Sequence, residues 1–131
     1  MSDIVRGMAA NLVQDLPQKD WVGEVRRLFE YVRDSIRYVR DIRGVETLHT
    51  AERILEQGQG DCDDKSIILA SLLEAIGHPS RLVAVGFKPG IFSHVFVETK
   101  IGSRWLSLET TEPVGMGWTP PDVKEKMVIY N

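Results

Sequence analysis

The sequence predicts an α+β fold, with N-terminal helices and a central buried helix packed on a short antiparallel β-sheet. Apolar residues recur at helical spacing between residues 21 and 36, and strand-like runs separated by Gly, Pro and Ser follow from residue 81 onward. The segment before the first strand, "CDDKSIILASLLEAIG", is apolar on most of its circumference. A helix of that kind is normally buried in the middle of its domain, so we expect the sheet to pack against it.

The length and composition predict one globular domain, residues 1–131, with a single core. The formal net charge is −3 and the basic residues are scattered among acidic ones. The chain therefore lacks the basic stripe that follows a phosphate backbone, and no nucleic-acid partner is expected. No stretch approaches the roughly 18 apolar residues that span a membrane, and charges interrupt the N-terminus where a signal peptide would be apolar. We expect a cytoplasmic protein without a membrane partner; the sequence does not predict its oligomeric state.

The segment "WVGEVRRLFEYVRDSIRYV" predicts an amphipathic surface helix. Its apolar residues fall on one face, with Arg and Glu on the other; they are Val22, Val25, Leu28, Phe29, Val32 and Ile36. A loop around Gly44 and a short helix from about Thr50 to Gln57 are expected next. Gly58 and Gly60 then break the chain before the central helix.

The start of the central helix is marked by Asp61, which can act as its N-cap. Asp64, three positions later, completes an acidic variant of the capping box. The helix is expected to run to Gly77, because a glycine followed shortly by a proline, Pro79, is a typical helix end.

Three strands are predicted after the central helix, from the segments "RLVAVGF", "SHVFVETKI" and "SRWLSLET". Gly102 and Ser103 supply a two-residue turn between the last two. The remaining chain is rich in Pro and Gly and should be mostly irregular, although "KMVIY" fits an added edge strand. His49 and His78, in a loop and a helix-ending turn, are expected at the surface.

Cys62 is the only cysteine in the chain, which excludes an internal disulfide and a thiolate-rich structural zinc site. As the first helical residue after Asp61 it lies where unpaired N–H groups and the positive end of the helix favour a thiolate and a developing oxyanion. The neighbouring aspartates oppose its ionisation, since like charges repel. A nucleophilic role therefore requires a cationic partner.

His94 is the predicted partner because it begins the most strongly patterned strand. If residues 101–104 form the hairpin tip, Val97 pairs with Leu108, and His94 shares one face of the sheet with Glu109. Glu109 then lies diagonally across from His94, within reach of its side chain. Such a carboxylate fixes and stabilises an imidazolium while the imidazole takes the thiol proton, which gives a Cys, His and acid triad.

These residues resemble the transglutaminase-like superfamily, whose core is shared with papain-type thiol enzymes. The resemblance runs from about Tyr38 to Pro113 and rests on "GDCDDKSIILASLLEAIGHPSR", "HVFVET" and "RWLSLET". It implies Cys62 as the nucleophile, His94 as the base and Glu109 as the orienting acid, with no cofactor. The family usually has aspartate at the position of Glu109. Compact single-domain members of this kind occur in bacteria and their phages.

The function that follows from the triad is acyl chemistry on a protein or peptide amide, through an acyl-enzyme on Cys62. Whether water or an amine accepts the acyl group stays open, so both a hydrolase and an acyltransferase are expected candidates. Gln57 and Gln59 are candidate oxyanion donors, as alternatives to plain loop residues. Trp105 is a candidate wall of the substrate cleft, as an alternative to local packing in the hairpin.

Two rival functions remain open at this point. The first is a scaffold that has lost activity and serves as an interaction or assembly module, an alternative that the longer acid at Glu109 makes credible. A metal-dependent hydrolase using Cys62, His94 and an aspartate is the second rival. The aspartates at 61, 63 and 64 are interpreted as capping and solubilising residues, because a calcium site needs a longer ligand loop. No metal is therefore expected.

Overall fold

The computed structural model describes residues 3–39 and 59–130, which form helices and a sheet as predicted. The helices in these ranges are α1 (Asp3–Val13), α2 (Trp21–Ser35) and α3 (Cys62–Ala75). The strands are β1 (Arg37–Tyr38), β2 (Gln59–Gly60), β3 (Ser80–Gly86), β4 (His94–Ile101), β5 (Arg104–Leu108) and β6 (Glu125–Tyr130). The loop expected around Gly44 and the short helix expected from Thr50 to Gln57 lie outside the described residues, as does His49.

The main sheet of the described chain has four antiparallel strands in the order β5-β4-β3-β6. β4 and β5 are joined through Gly102, whose φ of 62° is readily adopted only by glycine. The pairing of Val97 with Leu108 confirms the predicted register. β6 begins one residue before the predicted "KMVIY" segment and pairs with β3, so it is the predicted edge strand.

The main hydrophobic core lies between the helices and one face of this sheet. Val97 and Leu108 are fully buried on the sheet side. From the helices the core takes fully or almost fully buried side chains, which are Val5, Ala9, Val25, Leu28, Phe29, Val32, Ile68, Leu69, Leu72 and Leu73. A smaller cluster of Val83, Val85 and Phe96 occupies the opposite face. The predicted burial of the central helix is thereby confirmed, and α1, whose position the sequence analysis does not predict, packs against it.

Both ends of α3 are fixed by hydrogen bonds. The sequence analysis predicts the start of the helix correctly and places its end too late. At the N-terminus Asp61 accepts from the Asp64 N–H at 2.9 Å, and the Asp64 carboxylate accepts from the Asp61 N–H at 3.2 Å. The helix ends at Ala75, two residues before the predicted end. Gly77 has a φ of 88° and lies beyond the helix, where its N–H donates to Glu74 and that of His78 to Leu73.

The prediction that His78 lies at the surface is wrong. Its side chain is buried, and Nε2 is 2.8 Å from the Glu24 carboxylate of α2. The turn after α3 is held against α2 by this contact, which residue type and position alone did not indicate. Within residues 3–39 and 59–130, none of the helices combines the length and the apolar character required to cross a bilayer.

Candidate active site

Cys62 is the first residue of α3 and is partly exposed. The chain reaches it through β2, which pairs in parallel with β1 just beyond α2. One turn further along the helix, the buried Ser66 hydroxyl donates to the carbonyl of Val95 at 3.3 Å. Because Val95 directly follows His94, this bond holds the start of α3 against the start of β4, and Cys62 beside His94.

His94 and Glu109 are joined by a hydrogen bond of 2.6 Å between Nε2 and Oε2. Glu109 follows β5 directly and is completely buried. Its second oxygen, Oε1, accepts from the Thr111 N–H at 3.1 Å and from the Thr111 hydroxyl at 2.8 Å. The carboxylate is therefore fixed from both sides, and its burial is compensated by hydrogen bonds to each oxygen.

The imidazole of His94 interacts with both Cys62 and Glu109. Burial of the ring by itself lowers the pKa of His94. Hydrogen bonds to the Cys62 and Glu109 side chains, together with the charges of those groups, outweigh burial and raise this pKa from 6.5 to about 10. Nε2 is occupied by Glu109, so Nδ1 is the ring nitrogen that remains available to the thiol. The ring also stacks on Phe96, with the centroids 6.3 Å apart.

The three residues that the sequence singled out are thus brought together by α3, β4 and the end of β5. The register Val97 to Leu108 places residue 109 opposite residue 96, and the longer glutamate side chain then reaches back to His94. Thr111 was not identified from the sequence as a contributor. A threonine two residues after a predicted acid was the only available signal, because Thr and Ser commonly bond to nearby polar groups in turns.

A cleft of about 440 Å³ opens beside Cys62 and His94. Its walls come from α3, β3, β4, β6 and the loop before β4. The lining residues are Cys62, Asp63, Ser66, Ile67, Leu82, Ala84, Phe92, Ser93, His94, Val95 and Ile129. A volume of this size is within the range of small-ligand sites, roughly 300 to 1,000 Å³. The cleft therefore offers a substrate access to the thiol.

The other predicted substrate residues have different positions. Trp105 stacks on the guanidinium of Arg81, 4.0 Å from its ring centroid, and is not among the residues that line the cleft. It pairs with Lys100 near the hairpin tip, four residues from Glu109 and thus roughly 13 Å along the strand. Gln57 lies outside the described residues, and so does the side chain of Gln59. Their role as oxyanion donors stays a prediction.

A buried lysine that the sequence analysis did not single out lies close to this site. Lys65, 2% exposed, donates from Nζ to the carbonyl of Arg33 at 3.2 Å, near the C-terminal end of α2. Burial lowers the pKa of Lys65 to about 8, although the charges of Asp34 and Glu109 oppose this shift. It lines a second cavity, of about 330 Å³, beside Thr110 and Thr111. Only the packing of α2, α3 and the chain after β5 reveals this arrangement.

Replacing Lys65 by Met should raise the free energy of unfolding at pH 7, by on the order of 1–3 kcal/mol, because an apolar chain of similar length avoids the cost of burying the ammonium. Between pH 8 and 10.5 the unfolded lysine keeps a proton that the folded one has lost, so the wild type gains stability as the pH rises. The advantage of Lys65→Met should therefore shrink by pH 10. Urea unfolding at pH 7 and 10 measures it, with Lys100→Met on the exposed hairpin as the control. A difference that grows with pH would contradict the prediction.

Among the residues that the structure describes, no group of three or more His, Cys, Asp and Glu side chains is arranged to hold a metal ion. Asp61 and Asp64 are engaged with each other's backbone N–H groups in the helix cap. The interpretation of these two aspartates as capping residues is confirmed by those bonds.

Sequence comparison identifies the family. The model of the transglutaminase-like superfamily matches residues 7–110, which include Cys62, His94 and Glu109. The chain belongs to this superfamily. No curated protein resembles this transglutaminase-like chain closely in sequence.

Solved structures of similar fold include proteins from three bacteria. A protein of Cytophaga hutchinsonii, described as a candidate cysteine protease, has a TM-score of 0.68 at 18% identity, over 98% of this chain and 47% of its own. A candidate protease of Parabacteroides distasonis has a TM-score of 0.69 at 13% identity, over 82% of this chain and 23% of its own. Calcium-bound LapG of Legionella pneumophila has a TM-score of 0.70 at 19% identity, over 94% of this chain and 76% of its own. At these identities the likeness establishes the α+β fold.

The transglutaminase-like chain spans about half of the Cytophaga protein and under a quarter of the Parabacteroides protein, but about three quarters of LapG. The part shared with these proteins is the α+β fold.

Proposed function

We propose that this transglutaminase-like protein is a thiol-dependent amide hydrolase or acyltransferase that acts on proteins or peptides through Cys62, His94 and Glu109. The observation that carries the proposal is that one imidazole, that of His94, bonds to both a carboxylate and a thiol. His94 bonds to a completely buried carboxylate at 2.6 Å and to the thiol at the start of α3. A scaffold without activity has no physical need to hold an imidazole between a carboxylate and a thiol that faces an open cleft.

In the acylation step, His94 enters as an imidazolium, since its pKa is raised to about 10. The nucleophile is the thiolate of Cys62, the reactive form of a cysteine, paired with that cation. The sulfur adds to the carbonyl carbon of the amide and gives a tetrahedral oxyanion. The C–N bond then breaks, the imidazolium gives its proton to the departing amine, and a thioester remains on Cys62. Glu109 keeps the ring oriented and stabilises its positive charge throughout.

In the second step the neutral His94 acts as a base toward the acyl acceptor. Water gives up a proton to the imidazole and attacks the thioester, which releases the acid and regenerates the thiolate and imidazolium pair. An amine acceptor follows the same course and forms a new amide. The reaction is hydrolysis or transfer according to which acceptor enters the cleft.

Backbone N–H groups at the start of α3 supply the proposed oxyanion donors. Cys62 is the first helical residue, so its N–H has no partner within the helix. It is attached to the nucleophile itself and points to the end of the helix at which negative charge is favoured. Gln59, which lies in β2 three residues before Cys62, is the candidate side-chain donor.

The proposal is tested with a peptide mixture prepared from a cell extract, incubated with the protein in the presence and absence of methylamine. Mass spectrometry then detects new N-termini after hydrolysis and methylamides after transfer. Calcium and EGTA are included as parallel conditions, because LapG is described in calcium-bound and EGTA-treated forms. We expect either product with the wild type and a loss of at least about 10³-fold with Cys62→Ser.

The matched control is Ser103→Ala at the hairpin tip, which removes a hydroxyl from an exposed turn far along β4 and β5 from the site. It should behave as the wild type. Equal product formation by Cys62→Ser and the wild type would reject the thiol mechanism. No product from any of the three, together with ordinary slow alkylation of Cys62, would favour the inactive scaffold instead.

A further inference from the structure

The cleft beside Cys62 has a polar end and an apolar end. The polar end holds the thiol and the imidazole, with Ser93 and Asp63 nearby. The apolar end is walled by side chains without hydrogen-bonding groups, which are Ile67, Leu82, Ala84, Phe92 and Ile129, and Val95 of β4 lies between the two ends. A ligand that fills the cleft therefore places its reacting amide at one end and an apolar group at the other.

The strand order gives this cleft a direction. β4 carries His94, β3 lies next to it and carries Leu82 and Ala84, and β6 lies beyond β3 and carries Ile129. Leu82, Ala84 and Ile129 thus continue the apolar end from Cys62 across β3 to β6, away from His94, while Phe92 forms its rim in the loop before β4. The departing amine receives its proton from His94 and must lie on the His94 side. The acyl part of the substrate is consequently directed toward β3 and β6.

The apolar end is also incompletely filled by the protein itself. Phe92 is 45% exposed and Ile129 is 43% exposed, although both are large apolar side chains at the same cleft. Ala84, in the middle of the floor, pairs with Val95 on one side and Met127 on the other, so its small side chain leaves space between larger neighbours. Covering such surface with an apolar ligand group is favourable, because it removes apolar area from water.

The loop that carries Phe92 is held in place over the cleft. A Cβ at Gly86 would lie 1.5 Å from the Ile91 carbonyl oxygen, so only glycine permits this close approach. The Ser93 N–H donates to the Val85 carbonyl at 2.9 Å, and the Gly90 N–H donates to the Glu125 carboxylate of β6 at 2.8 Å. The loop that carries Phe92 is thereby hydrogen-bonded to both β3 and β6, so it forms one wall of the cleft.

We infer that this cleft binds a large apolar side chain on the acyl residue of the substrate, the residue whose carbonyl Cys62 attacks, and that Ala84 and Ile129 determine this preference. The inference rests on the proposed function, because it uses the roles of Cys62 and His94 to orient the substrate. It narrows the substrate class to peptides with residues such as leucine or phenylalanine before the scissile amide.

The test uses two reagents that alkylate Cys62 with release of chloride, acetyl-leucine chloromethyl ketone and acetyl-glycine chloromethyl ketone. Both place an acyl residue beside the sulfur, and they differ in the side chain alone. We expect the leucine reagent to react at least about tenfold faster with the wild type. Ala84→Phe, which fills the floor of the cleft, should bring the ratio of the two rates close to one.

A second cleft variant keeps the inference testable if Ala84→Phe does not fold. Ile129→Asp places a carboxylate at an exposed edge-strand position and should also lower the leucine to glycine ratio, by about tenfold. Ile4→Asp makes the same change at a similarly exposed residue of α1 that does not line the cleft, and should leave the ratio unchanged. A ratio near one in the wild type, or an unchanged ratio in both cleft variants, overturns the inference.

Iodoacetamide, which carries no side chain, separates this inference from the proposed function. If iodoacetamide reacts rapidly with the wild type and slowly with His94→Asn, but leucine gives no advantage, the apolar subsite is wrong and the thiol chemistry stands. If iodoacetamide reacts equally slowly with both proteins, the proposed function fails. The substrate orientation inferred from the roles of Cys62 and His94 then fails as well.

Discussion

Replacing His94 by Asn should lower kcat/KM for amide substrates by at least about 10³-fold and slow the alkylation of Cys62 by iodoacetamide at pH 6.5 by at least about tenfold. Asparagine keeps a hydrogen-bonding side chain but carries no positive charge and no transferable proton. The thiolate loses its cationic partner, and the departing amine loses its acid. Because Cys62 is the only cysteine, the alkylation rate reports on this residue alone.

The pKa of His94 sets the alkaline limb of the wild-type pH profile. The proposed active form has His94 protonated, and its pKa is raised to about 10 by the bonds to Cys62 and Glu109 and by their charges, against the effect of burial. Activity should therefore be retained through neutral pH and lost as the pH rises through about 10. Measuring kcat/KM between pH 7 and 11 checks this, since that ratio reports on the free enzyme.

His78→Asn is the matched control for His94→Asn. His78 is also buried and also bonds through Nε2 to a glutamate, Glu24, at 2.8 Å, but it lies at the end of α3 away from the cleft. We expect some loss of stability and unchanged kcat/KM for the folded protein. A His94→Asn protein that is folded and still turns over substrate would contradict the assigned role.

Replacing Glu109 by Gln should lower kcat/KM by about 10²- to 10⁴-fold, because the change removes the negative charge while it keeps the side chain's length. A neutral amide cannot stabilise the imidazolium to the same degree. The pKa of His94 should then fall below about 10, and the alkaline limb of the pH profile should move to lower pH. Steady-state kinetics across pH give both quantities from one data set.

Glu98→Gln provides the comparison, since Glu98 is a buried glutamate of β4 whose carboxylate pairs with Arg81 at 2.6 Å, away from Cys62. Its loss should affect the free energy of unfolding and leave the position of the alkaline limb unchanged. An alkaline limb that stays in place in Glu109→Gln would mean that this carboxylate does not act on His94, and the triad would reduce to a dyad of Cys62 and His94.

Glu109→Asp separates the effect of the carboxylate's negative charge from the effect of the side chain's length. Glu109 contacts His94 with one oxygen and Thr111 with the other, at 2.6 and 2.8 Å, so a side chain shorter by one methylene cannot keep both bonds without a shift of the backbone. We expect an intermediate loss of activity and a smaller shift of the pH profile than in Glu109→Gln. Full activity in the aspartate variant would show that the chain after β5 adapts freely.

The parts of the site that follow from local rules are predictable from the amino-acid sequence. The cap at Asp61 and Asp64 fixes where α3 begins, and hence that Cys62 is its first residue, because a capping box acts within one helical turn. The two-residue turn at Gly102 fixes the register of β4 on β5, because strand pairing in a tight hairpin leaves no freedom to slip. Together these two rules located three residues that lie far apart along the chain.

The surroundings of those three residues depend instead on how distant segments pack together. The position of β6 beside β3, and not beside β5, brings Ile129 to the cleft across more than sixty residues of chain from Cys62. The burial of Lys65 and of His78 depends likewise on how α2 packs against α3. Such contacts are set by the shapes of whole packed surfaces, and neither the turn chemistry nor the periodicity of a segment specifies which distant surface it will meet.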